Sequence, residues 1–397
     1  MHDSSGDASA ATAFSRTEIF AALLLGCVAL MMLGLQPVLL GELVNRQRIS
    51  LEGVGVVAMG EIFALGLGVI LAEKVLPLGR LRETAAGASL LLAGVNLLTL
   101  LAKGDLACTL VRLLAGLLAA ALFWITTMVI VRSAKPDRLA GVFLTLQTAV
   151  QAVVALCLAR WVMPAFGWQA GFVAVAALSL LPLTVLRWIP LRLGLHAEAV
   201  KPSLVSMRGL FALLVPFAQM CAVGTLWAYL DPLGQAAGFT ASNAQALVSL
   251  VLFMQLVGGS VASMAVRWWR APATLAVGVV LFVAVTLGMH GLPAGRLVAF
   301  AVLCGVFGFG WLFLMPFHIR LAFDVDPQGR VALLVPAAQL LGSAFGPLTA
   351  SFSVNGDQVG HVPLVASGFA LLVGLSLLAL RLRVPASTLR PSGAGQE

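Results

Sequence analysis

The chain has 397 residues, of which 60% are hydrophobic and only 10% charged, with a mean hydropathy of +1.03. Soluble domains carry about 25% charged residues, so folding in water is excluded and the solvent of this chain is a lipid bilayer. The net charge of +8 is distributed over short loops; it reads as topogenic charge and argues against a nucleic-acid partner.

Residues 1–17 are small and polar, lack the basic start of a secretory signal, and read as a disordered cytoplasmic tail. Stretches free of charge then predict membrane helices at Ile19–Gly41, Thr84–Ala102, Leu113–Val131, Leu139–Ala159 and Trp161–Leu186. The second half gives Gly209–Leu230, Pro232–Val266, Ala271–Gly295, Leu297–Ile319, Val331–Gly356 and Gln358–Leu380. A twelfth span, near Gly53–Ala72, is interrupted by Glu61. The runs are continuous rather than alternating, which excludes a β-barrel. The expected fold is an all-α polytopic membrane protein of about twelve helices.

Alternate loops carry eighteen of the 24 Lys and Arg residues, and the opposite loops carry five. The positive-inside rule places both termini in the cytoplasm, which an even number of spans satisfies. The expected location is the plasma membrane. The longest connection lies at 191–207. It divides an N-terminal six-helix bundle, 18–190, from a C-terminal bundle, 208–383, with a cytoplasmic tail at 384–397.

The halves echo each other. Arg138-Leu139-Ala140 returns as Arg330-Val331-Ala332, and Gln147 as Gln339, at an offset of 192 without a gap. Upstream, Arg112 and Trp124 have apparent counterparts in Arg296 and Trp311, but at different spacings. A parallel repeat of half the chain implies two pseudo-symmetric bundles with a site between them.

Several motifs point to one family. Gly68-Val-Ile-Leu-Ala72-Glu73-Lys74 and Leu78-Gly79-Arg80-Leu81-Arg82 resemble the two parts of the loop signature between helices 2 and 3 of the major facilitator superfamily. Three residues are inserted between the parts, and Glu73 stands for the usual Asp. Arg112-Leu-Leu-Ala-Gly116 is similar to that family's Arg-x-x-x-Gly in helix 4, and Phe166-Gly167-Trp168 looks like its start of helix 6. Gly342-Ser-Ala-Phe-Gly346-Pro347 resembles the antiporter motif, although it lies in helix 11 rather than helix 5. The resemblance covers about Ile19 to Arg383. It implies a secondary transporter working by alternating access, with Gly68, Glu73, Gly79 and Arg80 as gating residues.

Glu61 is the sharpest chemical signal, because a carboxylate inside a span is costly unless protonated, paired or wet. It lies about 12 Å deep if its helix starts at Gly53, and Arg112 about 9 Å deep from the same face. The two can therefore pair, and Glu61 is the candidate proton-coupling site; a static polar anchor is the plainer reading. Arg112 is either an anion site or a side chain snorkelling to the headgroups. Candidate substrate contacts are Arg112, Trp124, Gln147, Gln151, Gln255, Trp311 and Gln339. The amides can equally be interhelical hydrogen bonds and the indoles packing residues. Asp231 reads as a helix-end residue and His318 as a solvated interface histidine.

The five cysteines are scattered singly, and no metal spacing or ATP-binding loop occurs. No cofactor, metal or enzyme activity is expected; a polytopic membrane enzyme would need clustered acids or histidines that the loops lack. The expected partners are a small-molecule solute, protons and the lipid bilayer, with the chain acting as a monomer. Export by proton antiport is favoured over proton-symport uptake of an organic anion.

Overall fold

A computed structural model describes residues 14–190, 206–354, 356 and 358–382. The expected linker and both expected tails fall almost wholly outside these residues. Long helices dominate: α1 (Arg16–Asn45), α2 (Gly53–Val75), α3 (Leu81–Leu98), α4 (Asp105–Val131), α5 (Arg138–Phe166) and α6 (Gln169–Trp188) form the first half. The second half consists of α7 (Met207–Ala228), a short helix Leu230–Ala236, α8 (Ala241–Ala265), α9 (Ala271–Gly291), α10 (Leu297–Val325), α11 (Arg330–Ser351) and α12 (Val362–Leu382). Eleven of these are long and apolar enough to cross a membrane among the described residues. The twelfth is α3, whose first turn carries Arg82 and Glu83.

Helix ends follow local chemistry more closely than the count of charges does. The first helix starts at Arg16, inside the expected tail, because Ser15 and Glu18 form a capping box. The Ser15 amide donates to Glu18 Oε2 at 2.8 Å and the Glu18 amide to Ser15 Oγ at 3.2 Å. The boundary expected between Ala159 and Trp161 is absent: α5 runs through Arg160 to Phe166, with a π turn at Leu158–Val162. Arg160 is exposed and can snorkel without ending the helix. The stop is Gly167, at φ 83°, a conformation that glycine adopts freely. Likewise Pro232–Val266 is two helices, parted at Gly238, where φ is 102°.

The halves repeat one packing plan. In the first, α2 packs on α4, α4 on α1 and α3, and α3 on α6. In the second, α8 packs on α10, α10 on α7 and α9, and α9 on α12. Both α4 and α10 begin at residues 192 apart, Asp105 and Leu297. In that register Arg112 answers Cys304 and Trp124 answers Pro316, so the apparent upstream pairs with Arg296 and Trp311 are coincidences. Small residues set the crossings. A methyl group on Gly116 would strike the Glu61 carbonyl, and one on Gly308 the Val251 carbonyl of the corresponding pair. On α11, Gly342 and Gly346 lie against the Phe217 and Cys221 carbonyls of α7, so that motif serves close helix contact.

Between the halves, α2 packs on α11 and α5 on α8, pairs that exchange under the same repeat. Every hydrogen bond between the halves among the described residues lies at mid-depth or toward the face opposite the termini. Examples are Trp227 to Leu33, Tyr229 to Gly55, Gln245 to Glu42, Ser242 to Ala159 and Gly356 to Glu52. On the face of the termini, Arg82 donates to the Arg187 and Ile189 carbonyls within the first half, and Arg320 to the Val266 carbonyl within the second. The hydrogen bonds named between the halves thus latch the face opposite the termini.

Candidate functional site

A cavity of about 110 Å³ lies between the halves, under the latch. Its helices are broken where they line it. The first helix bends at Leu30, and Pro37 interrupts its second segment. Gln151 on α5 closes against Gly34, where a side chain would collide with it, and donates to the Leu30 carbonyl at 2.6 Å. Gln36, Gln147, Gln255, Trp227 and Trp311 complete the polar and aromatic wall. Trp227 and Trp311 meet edge to face at 5.2 Å. Among the described residues, no Asp, Glu, Lys, Arg or His lines the cavity.

Of the residues singled out in the sequence, Gln147, Gln151, Gln255 and Trp311 line this cavity together. The other three lie elsewhere. Arg112 is fully buried within the first half, its Nη1 lying 3.5 Å from Glu61 Oε1. Its Nη2 donates to Asn96 at 3.0 Å and Thr99 at 2.8 Å. Gly116, one turn along α4, brings the helix onto the Glu61 backbone, which is why Arg112 reaches the Glu61 carboxylate. Trp124 is buried at 1% exposure and donates through Nε1 to Glu73 Oε2 at 2.7 Å. Gln339 approaches His318 Nδ1 at 3.1 Å.

His318 is not a solvated interface residue: it is fully buried and its Nε2 has no partner. The reason is that α10 continues to Val325, beyond the charge count's end at Ile319. Asp231 does sit at a helix start, but it is fully buried between the halves against Gly41. Glu73 is therefore engaged with Trp124, while Gly68 packs on Ala120 and Arg80 pairs loosely with Glu83 at 3.9 Å; Gly79 is open.

Sequence reasoning missed Gln36 and Trp227. The Gln36 amide lies beside the Glu61 carboxylate without a well-formed hydrogen bond, and both its polar atoms lack a partner. It therefore stands between the ion pair and the cavity. A signal existed: Gln36 directly precedes Pro37, and helix breaks commonly mark binding segments in such bundles. Breaking the buried pair by removing one partner leaves an uncompensated charge, a loss of about 3–5 kcal/mol.

No family model matches the sequence, and no curated protein sequence does. Solved structures match the fold over nearly all of the chain. The nucleoside transporter NupG, in a mutant form, is 13% identical with a TM-score of 0.70, covering 91% of this chain and 99% of its own. The xylose transporter XylE from E. coli, partially occluded and inward open, is 14% identical with a TM-score of 0.66, covering 95% and 100%. A bacterial homolog of the human lysosomal transporter Spinster, inward-facing and unoccupied, is 14% identical with a TM-score of 0.60, covering 92% and 93%. Two six-helix halves with one packing plan, an interface of α2 with α11 and α5 with α8, and these likenesses give the chain the major facilitator fold.

Proposed function

We propose that the protein is a proton-coupled secondary transporter that moves a small uncharged solute by alternating access between its two halves. The observation that carries this reading is the Glu61–Arg112 pair, buried at 3.5 Å immediately behind the cavity residue Gln36. Glu61 Oε2 is buried without a hydrogen bond, so the carboxylate retains an unused acceptor for a proton. When Glu61 takes that proton, Arg112 loses its counter-charge but keeps hydrogen bonds to the neutral Asn96 and Thr99. Solute bound to Gln36 would then sense the protonation state of Glu61 through one side chain.

Latching at that face supports alternating access, because separating the halves there breaks the hydrogen bonds named above, with those of Tyr229 to Glu52 and Gln235 to Asn45, and uncovers the Asp231–Gly41 contact. With the termini in the cytoplasm of a plasma-membrane protein, as the loop charges favour, this is the inward-facing form. A solved neighbour of the same fold is described as a D-xylose-proton symporter, which makes proton coupling a fitting expectation on this scaffold. An organic anion held by Arg112 lacks comparable support, since that guanidinium is fully buried and lies outside the cavity wall.

The test is solute accumulation in proteoliposomes under an imposed pH gradient. Accumulation that collapses when a protonophore dissipates the gradient is expected. Uptake that follows only the solute's own gradient would refute the coupling, and the sign of accumulation reads import against export.

A further inference from the structure

The cavity's own chemistry narrows what it can hold. With no ionisable side chain among the described residues of its wall, an ionised solute would be desolvated without a counter-charge, a cost of several kcal/mol. The wall is mostly aliphatic and indole, so a polyol would bury more hydroxyls than it could pair, and each unpaired group is costly. What the wall does offer is unengaged carboxamide. Gln36 has neither polar atom in a hydrogen bond, Gln147 has a free Oε1 and Gln255 a free Nε2, all four atoms buried. A carboxamide presents a donor and an acceptor side by side, the pattern that pairs with the donor–acceptor edge of a nitrogen heterocycle, as Gln pairs with adenine. Trp311, half-buried in the wall and braced edge-on by Trp227, supplies an aromatic surface beside those amides. Size sets a bound: an apolar protein cavity of about 150 Å³ holds one benzene ring, and this one, at about 110 Å³, leaves room for no more than a single small ring.

We propose that the solute is an uncharged, planar nitrogen heterocycle of one ring carrying adjacent hydrogen-bond donor and acceptor atoms. Its edge is read by the carboxamides of Gln36, Gln147 and Gln255, and its face rests on Trp311. This rests on the transport reading above and gives that reading a substrate class.

The experiment measures equilibrium binding of radiolabelled uracil, adenine, xylose and benzoate to the purified full-length protein, and counterflow of each into proteoliposomes. Uracil should bind, adenine more weakly as a fused pair, and xylose and benzoate not at all. Gln255→Leu and Trp311→Leu should each weaken that binding about tenfold or more, at an unchanged melting temperature. Trp311→Phe should retain most of the affinity, which mere damage to packing would not predict. Binding of xylose or benzoate with neither heterocycle, or no binding by either heterocycle, would overturn the proposal. Heterocycle binding without counterflow would uphold the substrate class and contradict transport. Counterflow of xylose alone would uphold transport and overturn the class.

Discussion

The Trp227 indole N–H donates to the Leu33 carbonyl across the two halves at 2.8 Å, and Pro37 is the reason that carbonyl is available. Proline has no N–H to give to the residue four before it, so α1 leaves Leu33 unpaired at the level of the cavity. A side chain of the other half takes the missing place, and one residue type in α1 thereby becomes a docking point for α7. Trp227→Phe should keep the ring packing and lose about 1 kcal/mol of closure at this face. Pro37→Ala restores the intrahelical donor and should make the same Trp227→Phe change nearly neutral. A double-mutant cycle on melting temperature, read with solute protecting, checks the coupling; additive effects would contradict it.

Asp231 makes closure depend on pH. Burial pushes its carboxyl up to about 7, against the pull of the Gln235 hydrogen bond and with help from nearby Glu42; in water the value is about 3.9. From α1 it is faced by Glu42 and, through that residue's 3.6 Å pair, Arg46. Tyr229 precedes it at the end of α7, and α8 contributes no titratable side chain. A raised value means the latched form holds a proton that the open form releases. Closure is therefore fully favoured below about 3.9 and loses that advantage as pH climbs through about 7. Thiol labelling of Val54→Cys, a position buried at this face, should rise over that interval in a cysteine-free background. In Asp231→Asn the rise should vanish.

Gly41 tests the same contact by shape. Its α-carbon lies against the Asp231 carboxylate, and any side chain there meets it. Gly41→Val should hold the halves apart at this face and raise labelling of Val54→Cys at every pH. Unchanged labelling would remove Gly41 and Asp231 from the latch.

Much of the scaffold was legible because the bilayer leaves few choices. Length without charge finds the spans, and loop charge gives their expected orientation. The Glu61–Arg112 pair was legible for a similar reason: depth follows from counting 1.5 Å per residue, and two opposite charges at one depth have little reason to stay apart. What escaped was rotation about the helix axis. Counting places Trp124 and Trp311 alike inside spans, yet one faces Glu73 and the other the cavity. Gln147 and Gln339 correspond in the repeat, yet Gln147 looks between the halves and Gln339 into its own half at His318. Helix ends such as Gly167 were legible only as glycine, not as charge.

Arg112 carries a stability prediction. Arg112→Leu strands Glu61 in a buried helix crossing and should cost about 3–5 kcal/mol, seen as a large fall in melting temperature. Adding Glu61→Gln should recover a substantial part, since the stranded charge is then gone. Recovery of nothing would show that Arg112 acts by packing alone.

The central claim is that Glu61 is the proton site of a transport cycle, and one pair of measurements on Glu61→Gln tests it most directly. The variant keeps the size of the side chain and fixes it neutral, with Arg112 still held by Asn96 and Thr99. Solute counterflow at equal pH should survive, because binding and the movement of the halves do not require the proton to leave. Accumulation driven by a pH gradient should be lost. Full pH-driven accumulation in Glu61→Gln would contradict the proton site, and equal loss of both activities together with the fold's stability would mark Glu61 as a structural anchor.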